Sequence, residues 1–385
     1  MSAQAAFWIC LIWVAYIYIG YPIMVWALAK AVPRDTDKAD VEPRVTVLIA
    51  AFNEAREIER TVKNKLEQDY PAERLDVIVI SDGSTDGTDA IVRQIAASAG
   101  GRLRLLRQEP RQGKTMALNS AVPEAAGEIV VFSDANSIYA RDAVRQLVRS
   151  FADPSVGYVT GQMVYTNPDG SGVGEGSGAY MRYENMLRVL ETRLNSVVGV
   201  DGGIDAVRRA LYVPMRADQL PDFVLPLNVV EQGRRAVYEP AAKVYEAALG
   251  AAGAEFRMRV RVSLRALWAL LDKRSLLNPL RRPLYAWQLV SHKVLRYTAF
   301  IPLSALLGLS AWVAVDHPFY AGFFGLQLFA YGLAAAGPVL SRLGRVPTRL
   351  LAPYYFVLLN AACAAAFWKF MGGQKMVTWK PRGGN

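Results

Sequence analysis

Four short clusters carry residue types suited to polar chemistry: Ala50-Ala51-Phe52-Asn53-Glu54, Ser81-Asp82-Gly83-Ser84-Thr85-Asp86-Gly87, Arg111-Gln112-Gly113-Lys114 and Ser133-Asp134-Ala135-Asn136-Ser137. Each alone fits an ordinary turn, a solvated lysine or a capped helix. Together they supply acidic groups, one ammonium and loop amides. That set suits a nucleotide bound with a divalent cation. Asp134 is a hard oxygen ligand of the kind Mg2+ or Mn2+ prefers, and such ions share phosphate oxygens with the protein. Lys114 can offset diphosphate charge.

The elements that must position these clusters alternate between strand and helix. Val45–Ala50, Val77–Ile80, Leu103–Leu106 and Ile129–Ser133 are short apolar runs that read as buried strands. Glu54–Gln68, Asp89–Ala99 and Thr115–Ala125 read as helices, with Asn53 a candidate cap of the first. This rhythm predicts an α/β domain with a mostly parallel sheet. Ligands of such sheets bind at the carboxyl ends of the strands, where the clusters lie.

The order Ala-Phe-Asn-Glu, Ser-Asp-Gly-Ser-Thr-Asp-Gly-Thr, Gly-Lys and Asp-Ala-Asn resembles the family 2 glycosyltransferases of the GT-A fold, over about residues 43–250. The layout of the whole chain is similar to the membrane-integrated branch, with its hyaluronan, chitin, poly-N-acetylglucosamine and cellulose synthases. The resemblance implies that Ala51, Asn53, Glu54 and Asp82 hold the uridine and ribose end of a UDP-sugar. Lys114 then lies near the nucleotide, and Asp134 holds the metal, Mg2+ or Mn2+, with the diphosphate. Asn136 stands where the family usually has a second aspartate. It offers a carbonyl oxygen but one negative charge fewer.

Inverting transfer is a single displacement at the anomeric carbon and needs a general base beside the acceptor hydroxyl. Leu220-Pro-Asp-Phe-Val-Leu-Pro226 resembles the family's acidic motif, with Pro221 in place of its first acid, so Asp222 is the expected base and Asp218 the alternative. Gly202-Gly203, followed by Arg208 and Arg209, resembles the acceptor stretch, where glycine lets a sugar approach the backbone. Arg257-Met-Arg-Val-Arg-Val262 stands where relatives carry a Gln-x-x-Arg-Trp motif. Arg261 is the best match for its arginine, which would reach the diphosphate. Met376-Val-Thr-Trp-Lys380 resembles the gating loop of cellulose synthase.

The chain has 385 residues, 52% of them hydrophobic. Its mean hydropathy of +0.15 is high for a water-soluble enzyme. The net charge is +10. From residue 251 onward there are 17 basic and 3 acidic residues, whereas the first 250 have a slight acidic excess. Basic charge confined to the most apolar third reads as a membrane rim, not a nucleic-acid face. Ala5–Ala29 is long enough to span ~30 Å of hydrocarbon. Tyr297–Val315, Pro318–Leu340 and Leu351–Met371 are three further apolar runs. Arg342, Arg345 and Arg349 mark one turn as cytoplasmic. Counting spans puts the C-terminus outside, while Lys369, Lys375, Lys380 and Arg382 argue for inside; one run is then re-entrant or interfacial. Residues 257–296 alternate basic and aromatic positions, as interfacial helices do. Cys10 and Cys363 lie in apolar runs and exclude a disulfide framework. His292 precedes a span and reads as an interfacial hydrogen-bonding residue, with no acidic partner nearby in sequence.

The expected organisation is a membrane helix at 1–32, a cytoplasmic transferase domain at 43–250, interfacial helices at 251–296, membrane helices at 297–371 and a basic tail at 372–385. The expected activity is inverting transfer from a nucleotide sugar to a polysaccharide or lipid-linked glycan. A processive synthase and a single-addition enzyme, each forming a β-glycosidic bond, are its two versions, and a catalytically inactive scaffold of a polysaccharide secretion complex is the alternative from another class. Few spans would oblige a polymer channel to use a homodimer or a partner.

Overall fold

The computed structural model describes residues 2–166, 172–247, 252–340 and 348–376. Arg342, Arg345, the basic residues of the tail beyond 376 and most of the gating-loop match lie outside them. The contacts divide the chain into two units, one of Pro33–Thr166 and Arg188–Glu246 and another of Met1–Val32, Asn167–Leu187 and Ala247–Lys375.

The first unit is built on one eight-stranded sheet: β1 (Val45–Ala51), β2 (Leu75–Ser81), β3 (Leu103–Arg107), β4 (Ile129–Asp134), β5 (Ile138–Tyr139), β6 (Val156–Thr166), β7 (Asp205–Arg208) and β8 (Arg235–Ala247). The order is β3-β2-β1-β4-β7-β6-β8-β5. All seven residues of β1 are buried, as an interior parallel strand with both faces covered requires. The run β3-β2-β1-β4 is parallel as expected, whereas β7 enters antiparallel to β4 and to β6, and β5 antiparallel to β8. The sheet is therefore mixed. Of the later strands, β5 and β7 have only two and four residues, too short to read in advance, whereas β6 and β8 run to 11 and 13 residues and went unassigned.

Register decides what reaches the strand ends. Ala51 pairs with Ser81, Ala50 with Asp134, and Ser81 with Arg107. Three of the four clusters thus leave the sheet at one level. The helix Ile58–Leu66 covers the sheet through Ile58, Thr61, Val62 and Lys65, a stripe of helical spacing. It starts later than expected, and Glu57 precedes it. Asn53 is not its cap. It takes φ +55°, and its side chain serves the β2 loop instead.

Among the described residues, three helices, all in the second unit, are long and apolar enough to cross a membrane: Ala3–Ala31, Pro318–Val339 and Ala352–Met371. A fourth arises only if Pro283–Tyr297 and Phe300–Val313, bent by 56° at their junction, count as one span. Phe300–Val313 alone has 14 residues, about 21 Å of helix and short of ~30 Å of hydrocarbon. At the bend the Thr298 hydroxyl donates to the Val294 and Leu295 carbonyls, competing with the helical ladder. The basic helix Ala252–Asp272 buries Val260 and Leu264 against Ala362 and Ala366 of the helix Thr348–Met371.

Candidate functional site

The loops after β1 and β2 are laced together. Asn53 N–H donates to Ser84 Oγ at 3.1 Å, and Thr85 N–H donates to Asn53 Oδ1 at 2.8 Å. Glu54 N–H donates to Thr88 Oγ1, and Ala55 N–H to Asp86 Oδ2, both at 2.9 Å. Ala51 is fully buried, and its carbonyl accepts from Asp82 N–H at 2.9 Å. Asp82 is also fully buried. Its carboxylate accepts from Gln112 N–H and Gly113 N–H at 2.9 Å, Gln108 Nε2 at 2.6 Å and Arg111 Nε at 3.4 Å. Asp82 therefore organises the loop that delivers Lys114.

Lys114 opens the helix Lys114–Ala121 directly after Gly113, whose φ of +92° a side chain would resist. Its Nζ donates to Asp134 Oδ1 at 2.6 Å and to Asp222 Oδ1 at 3.5 Å. Burial works against the ammonium, but the carboxylates of Asp134 and Asp222 outweigh it and hold the Lys114 pKa above the usual lysine range. Asp134 ends β4 and Asp222 sits in the first turn of the helix Pro221–Glu231, each with roughly a third to a quarter of its side chain exposed. Asp222 does not cap that helix, since Leu220 precedes it without a side-chain bond. Asp218 is engaged elsewhere: Arg216 Nε donates to it at 3.1 Å.

Gly202 lies against the same carboxylate. A Cβ on Gly202 would stand 2.8 Å from Asp222 Cγ and Oδ2. One on Gly203 would stand 2.9 Å from Glu246 Oε1 and 3.2 Å from Ser137 Oγ. Both glycines have φ near +79°, so this backbone needs glycine twice over. Arg208, which follows in sequence, donates to the carbonyls of Phe151, Asp153 and Val156 and so ties strands together. Arg261 lies on the basic helix of the other unit.

Four contributors escaped the sequence reading. Asp205 opens β7, pairs with Phe132 and Thr160, and is 2% exposed. Burial and the Asp222 carboxylate push its pKa up to about 7. Lys65 is fully buried, and its Nζ donates to the Ser137 carbonyl at 2.5 Å, fixing the loop that carries Asn136. Ser137 Oγ in turn donates to Glu246. Arg188 forks onto Asp201 and donates to the Gly199 carbonyl, pinning the segment before Gly202. A lysine on the apolar stripe of an amphipathic helix was the one visible signal.

The residues present fit a weak divalent-cation site. Asp134 offers a partly exposed carboxylate and Asn136, half-buried two residues on, an amide oxygen. Among the described residues no group of three or more His, Cys, Asp or Glu side chains is placed to hold a metal alone. An ion here would draw its other ligands from water and from substrate oxygens.

The sequence profile described as Glycosyl transferase family 2 matches residues 46–212. That stretch is a family 2 glycosyltransferase domain. The family 2 domain contains Ala51, Asn53, Glu54, Asp82, Lys114, Asp134, Asn136, Gly202 and Gly203, while Asp222 follows it. The chain is 30% identical to the beta-monoglucosyldiacylglycerol synthase of Synechocystis over 229 residues, 53% of this chain and 46% of that protein. It is 26% identical to the poly-beta-1,6-N-acetyl-D-glucosamine synthase of Staphylococcus aureus over 250 residues, 63% and 59%. The match spans about half the length of these curated relatives. The mannosyltransferase PcManGT of Pyrobaculum calidifontis, solved with GDP-Man and Mn2+, superposes with a TM-score of 0.72 at 26% identity. That alignment covers 96% of this chain and 99% of the mannosyltransferase.

Proposed function

We propose that the protein is a membrane-embedded inverting glycosyltransferase that moves one sugar from a nucleoside-diphosphate sugar to a lipid-linked acceptor. The observation that carries this reading is the bridge of Lys114 between Asp134 and Asp222, with Gly202 against Asp222. A diphosphate site and a proton acceptor then share one ammonium. The superposition with a mannosyltransferase bound to GDP-Man, over nearly the whole chain, brings GDP-sugars beside UDP-sugars as donors. The glucolipid synthase among the relatives supports a lipid acceptor.

In this mechanism the loop lattice of Ala51, Asn53 and Glu54 cradles the nucleoside, and Asp82 sets the loop that presents Lys114. Asp222 takes the proton of the acceptor hydroxyl as that oxygen bonds to the anomeric carbon. The bond from that carbon to the diphosphate oxygen breaks, and the nucleoside diphosphate leaves. The Lys114 ammonium stabilises the charge that develops there. Mg2+ or Mn2+, held by Asp134 with Asn136, would supply further positive charge to the diphosphate. Asp205, beside Asp222, keeps a second proton-binding group under the acceptor. Arg261 is assigned to the diphosphate by resemblance alone.

Nucleotide release by the purified chain in nanodiscs tests the reading. UDP- and GDP-sugars are compared with Mg2+ or Mn2+, with and without lipid extract, and the product is sized. One sugar on an extracted lipid supports it. A long polymer replaces it with a processive synthase. Nucleotide binding without any turnover replaces it with a scaffold.

A further inference from the structure

Within the unit that holds the apolar helices lies a cavity of about 420 Å3, in the size range of ligand pockets. Its walls come from the N-terminal helix, the helix Gly172–Leu194, the basic helix Ala252–Asp272, the Pro283–Tyr297 segment and the helix Thr348–Met371. One side is apolar, with Val262, Ala352, Phe356 and Leu359. The other presents Arg259, Lys293 and Arg296. Side chains of this kind are rare among membrane helices and mark functional sites there.

Among the described residues the cavity lining holds basic groups and no Asp or Glu. Glu184 is buried and receives Arg296 NH1 at 2.5 Å, His292 Nε2 at 3.3 Å and Lys293 Nζ at 3.8 Å. Arg259 is matched by Glu255, which also accepts from Tyr355. Each of the two guanidinium groups lies with its central carbon 5.3 Å from the centroid of the Tyr180 ring. The rings of Tyr18 and Tyr183 lie 5.9 and 5.2 Å from the Arg296 guanidinium. Two guanidinium groups lining one cavity with an apolar wall match a phosphate joined to a hydrocarbon chain.

We propose that this cavity binds the phosphate head of a lipid, with Arg259 and Arg296 as its ligands. The site rests on the reading that these helices enter a bilayer, and not on the transfer chemistry. A single-chain lipid phosphate and a two-chain bilayer phospholipid present the same chemistry to the arginines.

The test uses the full chain in maltoside micelles, titrated with dodecyl phosphate, dodecanol and phosphatidylglycerol, and read by native mass spectrometry. Dodecyl phosphate or phosphatidylglycerol is expected to bind one per chain, with dodecanol at least about tenfold weaker. Arg259→Gln and Arg296→Gln should each weaken that binding by about tenfold, with UDP and GDP binding unchanged. Val262→Trp, which narrows the cavity and keeps every charge, should weaken it as well and covers the case in which an arginine variant fails to fold. Preference for the monoester assigns a single-chain lipid phosphate, and preference for phosphatidylglycerol assigns a bilayer lipid. Equal binding of dodecanol, or binding indifferent to all three variants, overturns the site. Dodecyl phosphate bound by a chain that turns over no nucleotide sugar would sink the transferase reading and leave this one standing.

Discussion

The two units each build one polar cluster, and the clusters have opposite signs. In the sheet unit a single ammonium, Lys114, bridges Asp134 and Asp222, with the buried Asp205 beside Asp222. In the helical unit a single carboxylate, Glu184, sits among His292, Lys293 and Arg296. The ligand proposed for each has the complementary sign: a cation that travels with a diphosphate for the carboxylates, and an anion that travels with an apolar chain for the basic groups.

The sharpest way to break the acidic half is Asp222→Asn. If Asp222 is the base, turnover falls by about 10²- to 10⁴-fold while nucleotide binding persists. Full activity in a nucleotide-release assay would remove Asp222 from the mechanism.

Asp205 offers a second route, through pH. Its folded-state pKa is pushed up to about 7, against about 3.9 for a free aspartate. Between these values the folded chain keeps a proton that the unfolded chain has released. Its contribution to stability is therefore present below about pH 4 and is lost as pH rises through about 7, with a slope of up to about 1.4 kcal/mol per pH unit. Asp205→Asn should flatten that slope and stabilise the chain above pH 7, as read by thermal unfolding across pH. An unchanged slope would separate Asp205 from the cluster.

The Lys114→Met variant asks whether this ammonium carries the diphosphate. Removing a charged hydrogen-bond donor costs about 1.5–3 kcal/mol, or roughly 10- to 100-fold in donor affinity. Calorimetric titration with UDP and GDP reads this directly. Unaltered affinity would return Lys114 to the role of an internal tie between the two aspartates.

How much of this was legible depended on sequence distance. The clusters after β1, β2 and β4 stood out because a parallel α/β sheet delivers consecutive strand ends to one edge, and the β1–β4 register put Ala50 level with Asp134. Their neighbours were invisible for the complementary reason. Ser137 and Glu246 meet across 109 residues, and Glu184 and His292 across 108. His292 was read without an acidic partner because that partner sits on a helix far upstream. Asn53 misled for a local reason. Asparagine before a helical stretch fits a cap, yet a short polar side chain that tolerates positive φ serves a loop-to-loop bond equally well. The apolar run after Tyr297 showed its length in sequence but not its bend, although Pro302, with no N–H to give the Thr298 carbonyl four residues back, was the local signal for it.

The mildest test leaves the sign of the acidic cluster alone and changes its strength. Asn136 supplies an amide oxygen two residues beyond Asp134, and Lys65 holds the loop between them through the Ser137 carbonyl. Asn136→Asp adds a carboxylate at a position that the fold already fixes, so no rearrangement is needed to gain it. The concentration of Mn2+ giving half-maximal turnover should fall by about tenfold, an effect of about 1.4 kcal/mol. Maximal turnover should change little, because the added charge acts on ion occupancy and not on proton transfer to Asp222. A metal requirement that does not move would mean that Asn136 faces away from the ion, leaving Asp134 as its sole protein ligand.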